Sequence, residues 1–167
     1  MVLPLHLCAL AGFAGVMIAA ALEDFRRLII PNTLIVALCL LWPLYLAGAP
    51  SLAGILAALG CAAVIFILGA VCFAWGYIGG GDVKLLTAAI LWAGPAGAPA
   101  LLAVTGLLGG LLALVLLTPV GAQAAQAGRL LLGGADLPAP GAAPIQVPYG
   151  VAIAAAALIV IVPPNFS

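Results

Sequence analysis

Apolar residues in this chain come in long unbroken runs, and the polar positions are crowded into the gaps between them. Six runs stand out, at residues 3–22, 33–48, 52–74, 83–93, 100–118 and 148–162. They are rich in Ala, Leu and Gly, and none alternates with the period of two that a barrel strand requires. Glycine and proline clusters punctuate them: Ile30-Pro31-Asn32, Gly48-Ala49-Pro50, Gly79-Gly80-Gly81 and Gly94-Pro95-Ala96-Gly97-Ala98-Pro99. In lipid only helices and closed barrels satisfy their own backbone, so runs of this kind predict helices. The pattern predicts an all-α integral membrane protein, a bundle of about six transmembrane helices, with residues 1–167 forming one domain and no internal repeat. The longest non-spanning stretch, 119–147, holds Gln123, Gln126, Arg129, Asp136 and several prolines. It reads as an irregular surface loop with room for one short interfacial helix.

Composition strengthens this picture. Hydrophobic residues make up 68% of the chain and charged residues 5%, against about 25% charged in soluble domains. The main partner is therefore the lipid bilayer, and a net charge of zero speaks against nucleic acid. Cys8, Cys39, Cys61 and Cys72 all sit in apolar runs without a Cys-x-x-Cys pair. They read as buried small apolar residues, with no zinc site or disulfide framework. No Lys or Arg precedes Arg26, so residues 3–22 read as a retained span and not a signal peptide. Trp42, Trp75 and Trp92 fall near predicted span ends and suggest an aromatic belt.

The charges fix a topology. Glu23, Asp24, Arg26 and Arg27 follow the first span; Asp82 and Lys84 precede the fourth; Arg129 and Asp136 follow the fifth. Two crossings separate each group from the next, so all charges lie on one face of the membrane. The positive-inside rule makes that face cytoplasmic. The single histidine, His6, falls on the opposite side from every carboxylate. A histidine-dependent triad or histidine–carboxylate metal site is therefore not expected, nor is any cofactor. The fourth run is short: residues 83–93 make about 16 Å of helix, half the thickness of a bilayer core. Either the helix continues past Pro95 with a kink, or it starts below the headgroups and places Asp82 within the membrane.

Asp24 and Asp82 are the carboxylates best placed for chemistry. Two carboxyls within reach of each other share a proton. One then takes a proton from water while the other donates to the carbonyl or leaving nitrogen, which is peptide hydrolysis without a covalent intermediate. Glycines 79–81 would let a substrate backbone approach Asp82. A plainer reading stays open at this point: Asp82 as the N-cap of the fourth span, and Asp24 as the ion-pair partner of Arg27. Lys84 either tunes Asp82, binds carbonyl or acidic parts of a substrate, or snorkels to the interface.

Tyr77-Ile78-Gly79-Gly80-Gly81-Asp82-Val83-Lys84-Leu85-Leu86 resembles the Gly-x-Gly-Asp motif of the type IV prepilin peptidases. Asp24, seven residues before Pro31-Asn32, is similar to the family's first aspartate; Glu23 lacks that spacing. Val147-Pro148-Tyr149-Gly150-Val151-Ala152-Ile153-Ala154 resembles the family's last span more weakly. The resemblance implies a membrane aspartyl endopeptidase with catalytic Asp24 and Asp82 and substrate-binding Gly79, Gly80, Gly81 and Lys84. Its partner would be a pilin-like precursor, cleaved at the cytoplasmic face of the bacterial inner membrane. The chain looks like the short subfamily serving Flp-type, tight-adherence pili, without the Cys-x-x-Cys domain of longer members, so N-methylation is not expected. Two alternatives remain. One is a peptidase cutting within spans, against which the Pro31-Asn32 spacing argues. The other is a non-enzymatic transporter or assembly subunit in which Asp82 and Lys84 pair.

Overall fold

The computed structural model describes residues 2–46, 51–134 and 147–162. The expected turn at Gly48-Ala49-Pro50 and the charge of Asp136 lie outside the described residues. Among the described residues the regular elements are all helical: α1 (Val2–Arg27), α2 (Asn32–Tyr45), α3 (Leu52–Ala74), α4 (Gly80–Leu117), α5 (Pro119–Leu131) and α6 (Tyr149–Ile161). Local chemistry sets several starts. Pro31 is extended ahead of α2, Ser51 accepts the Gly54 N–H at 3.2 Å to cap α3, and Thr118 accepts the Gly121 N–H at 3.1 Å to cap α5.

All six expected apolar runs are helical, and two of them belong to α4. This helix breaks at Gly94, whose φ of 64° and ψ of 179° only glycine adopts freely, just before Pro95. In a straight helix residues 82 and 105 would stand about 35 Å apart, yet both border one cleft. The two arms, 80–93 and 95–117, therefore fold back against each other, and the fourth run is a short arm of its own. Three helices are long and apolar enough to cross a membrane: Leu5–Arg27, Leu52–Ala74 and Gly80–Leu117.

Helix α6 lies between α1 and α4, with α2 packed on α1 and α3 on α4. Its Ala152, Ala154, Ala156 and Ala157 are buried, and such small side chains let neighbouring backbones approach closely. On α1 the buried positions Leu10, Phe13, Met17 and Ala20 recur at spacings of three and four, one face of a helix. The opposite, outward faces carry Leu56, Ile67, Leu107 and Leu114 exposed, as lipid contact requires.

Two expectations change. Trp42 and Trp92 lie in the core rather than in a belt. Trp92 packs against Phe13 and Tyr45, and its indole N–H donates to the Leu38 carbonyl at 3.1 Å, the partner a buried indole needs. Cys8 and Cys39 are exposed and Cys61 and Cys72 half-buried, because a thiol is apolar enough to face lipid. The stretch from 119, read as a loop with room for one short helix, begins with that helix, α5, whose Gly128 and Arg129 pack on the end of α1.

Candidate active site

Asp24 continues the buried stripe of α1. It follows Ala20 by four residues and is 4% exposed, whereas Glu23, about 100° away around the helix, reaches the rim. Glu23 pairs with Arg26 at 3.5 Å and with Arg27 at 3.4 Å. The expected pairing of Arg27 with Asp24 is thus corrected: the acid in register with both arginines is Glu23. Asp24 instead meets the start of α6. The N–H groups of Gly150 and Val151 face its carboxylate, with Val151 N donating to Oδ2 at 3.3 Å. The first N–H groups of a helix have no partner within it, and the positive end of the helix dipole favours an acid there. The fit is close, since a Cβ on Gly150 would lie 2.8 Å from both Asp24 Oδ2 and Ile30 Cδ1.

Arg129 also acts on Asp24 through its charge. Its Nε donates to the Phe25 carbonyl at 2.8 Å and its guanidinium lies 5.6 Å above the Phe25 ring. Burial draws the Arg129 guanidinium below its ordinary range, and the nearby charge of Asp24 opposes that shift.

Asp82 is held by its own helix. Gly79 is the N-cap of α4 and Asp82 stands in the first turn, its carboxylate reaching back to the Gly79 N–H. That is the reach-back half of a capping box. The cap is therefore Gly79, not Asp82 as the plainer sequence reading had it. The three glycines are tightly surrounded. A Cβ would meet Asp82 Oδ2 at 2.9 Å from Gly79, the Phe73 ring at 3.2 Å from Gly80, and Ile30 at 3.3 Å from Gly81. Lys84 Nζ donates to Asn32 Oδ1 at 3.0 Å. Among the described residues it forms no ion pair with Asp82, because positions two apart on a helix do not face each other.

These contacts bring both aspartate segments to one end of the bundle. Ile30 packs against Gly81 on one side and Gly150 on the other, Lys84 ties α4 to the α1–α2 turn, and Asp24 and Asp82 are close enough to interact electrostatically. His6 lies eighteen residues from Asp24 on the same helix, about 27 Å away, stacked on Tyr45 at 4.7 Å. From Asp82 a narrow cleft runs between Ile65, Ile78, Leu86, Thr105 and Tyr149. Two coupled carboxyls beside an apolar cleft can pass a proton to and from a bound peptide and water.

Sequence reasoning assigned no role to the α6 N–H groups, Arg129, Tyr149 or Thr105. The run 147–154 marked the start of α6 without showing what it would face. A count of threes and fours along α1 would have put Asp24 on the buried stripe. A family model described as the type IV leader peptidase family matches residues 11–114, a stretch that includes both aspartates. Neither the curated proteins nor the solved structures gave a match.

Proposed function

The chain belongs to the type IV leader peptidase family, and from that premise we propose that it is an aspartyl endopeptidase removing the leader from Flp-type prepilins or pilin-like precursors. The observation that carries this reading is the convergence of Asp24 and Asp82, from segments far apart in sequence, each at the N-terminus of a helix and each within the other's field. In the proposed reaction a water oxygen attacks the scissile carbonyl carbon while the ionised carboxylate of the pair takes its proton. The protonated partner gives its proton to the carbonyl oxygen. The first carboxyl then passes the proton it took from water to the leaving nitrogen as the C–N bond breaks, and the collapsing diol returns a proton to the partner. The leader departs with a new carboxyl terminus, the mature chain with a new amine, and the pair is restored.

The charged end of the bundle is proposed to face the cytoplasm of a bacterial inner membrane, where the basic leader of such a precursor would lie. The Gly79–Gly81 segment and Lys84 are proposed to lie along the bound peptide. Co-expression with a Flp-type precursor tests the reading. The expected result is a shorter product on a gel, with a single new N-terminus by mass spectrometry. Full-length precursor persisting beside inserted enzyme contradicts it.

A further inference from the structure

Thr87 and Thr118 use their hydroxyls as helix threonines ordinarily do. Thr87 Oγ1 donates to the Val83 carbonyl at 2.8 Å, and Thr118 Oγ1 to the Val115 carbonyl at 2.7 Å. Thr105 differs. It is 4% exposed, and its Oγ1 has no hydrogen-bond partner among the described residues. An unused donor buried in an apolar wall is costly and calls for a reason. Thr105 stands in the wall of the cleft that contains Asp82, and the remaining walls are largely aliphatic, suited to an apolar peptide segment.

A peptide bond in a helix has its carbonyl engaged four residues on, so the segment to be cut must unwind. Its freed carbonyls then need donors in a place with little water. We propose that Thr105 is a substrate-binding residue whose hydroxyl donates to a main-chain carbonyl of the precursor where its apolar segment unwinds next to the scissile bond. This rests on the peptidase reading above and adds a contact to it. The hydroxyl is unpaired in the free protein because its partner arrives with the substrate.

The test uses the full chain, purified and reconstituted in liposomes with a precursor that the wild type cleaves. Thr105→Val keeps the shape and removes the hydroxyl; Thr105→Ser keeps the hydroxyl. The expected result is a fall of about three- to tenfold in kcat/KM for the valine variant, the usual worth of one neutral hydrogen bond. The serine variant should stay near wild type. The thermal midpoint of the valine variant should be unchanged or higher, because no bond within the protein is lost. Wild-type cleavage kinetics in the valine variant overturn the proposal. So does a loss of activity that serine does not rescue and that accompanies a lowered midpoint, the mark of a packing role. If the wild type cleaves no precursor, the peptidase reading itself falls and takes this contact with it. A valine variant equal to an active wild type removes the contact alone.

Discussion

Asp24 reaches the N-terminus of a helix that begins 125 residues further along the chain, whereas Asp82 sits in the first turn of the helix whose free N–H it accepts. The first arrangement is closed. Gly150 lies against the Asp24 carboxylate with no room for a side chain between them, and the charge of Arg129 is close by. The second is open on one side, since Asp82 borders the cleft. The difference teaches that the two carboxyls depend on different parts of the chain. The family match ends at residue 114, yet the groups that hold Asp24 come from α5 and α6, beyond it. Asp24 is set by tertiary packing and Asp82 by local helix chemistry.

If that contrast holds, adding one methyl at the closed site does more harm than adding it at the open one. Gly150→Ala forces its new atom to within 2.8 Å of Asp24 Oδ2 and Ile30 Cδ1, both of them buried. Precursor cleavage per inserted molecule is expected to fall more than about a hundredfold, as for a reacting group displaced by about an ångström. Gly79→Ala makes a comparable clash with Asp82 Oδ2 at 2.9 Å, but that side chain can swing into the cleft. Its loss should be the smaller of the two in the same assay. The reverse order would show that Asp82 is the rigid member.

The tie between Lys84 and Asn32 is exposed, and exposed polar pairs contribute little. Asn32→Ala should therefore lower cleavage by no more than about threefold, and Lys84→Met, which also removes the proposed contact with the bound peptide, should lower it further. Equal losses in the two variants would mean that the ammonium only ties α4 to α2 and does not touch the substrate. Smallest of all, Glu23→Gln should leave cleavage at wild-type rate, because Glu23 only pairs with Arg26 and Arg27 at the rim. An inactive Glu23→Gln variant would move the chemistry to the wrong side of α1.

The helices were legible because long apolar runs have no other solution in lipid, and the glycine–proline clusters marked where they stop. The gathering of charges at one end was legible from crossing parity: Arg129 meets Phe25 and Lys84 meets Asn32, as segments on one face must. The choice of Asp24 over Glu23 came from its spacing to Pro31, and the buried stripe of α1 supplies the physical reason. That the runs on either side of Gly94-Pro95 form one broken helix was not legible, because such a cluster equally marks a plain loop between two helices. The contact of Val151 with Asp24 spans 127 residues and that of Arg129 with Phe25 spans 104. No local pattern encodes such pairings. The inward placing of Trp92 was hidden for the same reason, since its partner carbonyl, Leu38, belongs to another helix.

The central claim is that Asp24 and Asp82 act as one proton-sharing unit, and substitution by asparagine tests it most directly. Asparagine keeps the size of the side chain and still accepts the N–H groups of α6 or of Gly79, so both helix starts survive while the exchangeable proton is lost. Precursor cleavage is measured in membranes containing Asp24→Asn, Asp82→Asn or both, normalised to inserted protein. The account predicts that each single variant abolishes cleavage and that the double variant is no worse than either, because members of one unit do not add. Full activity per molecule in either single variant, with any deficit confined to protein level, would contradict it and leave the aspartates as helix caps alone.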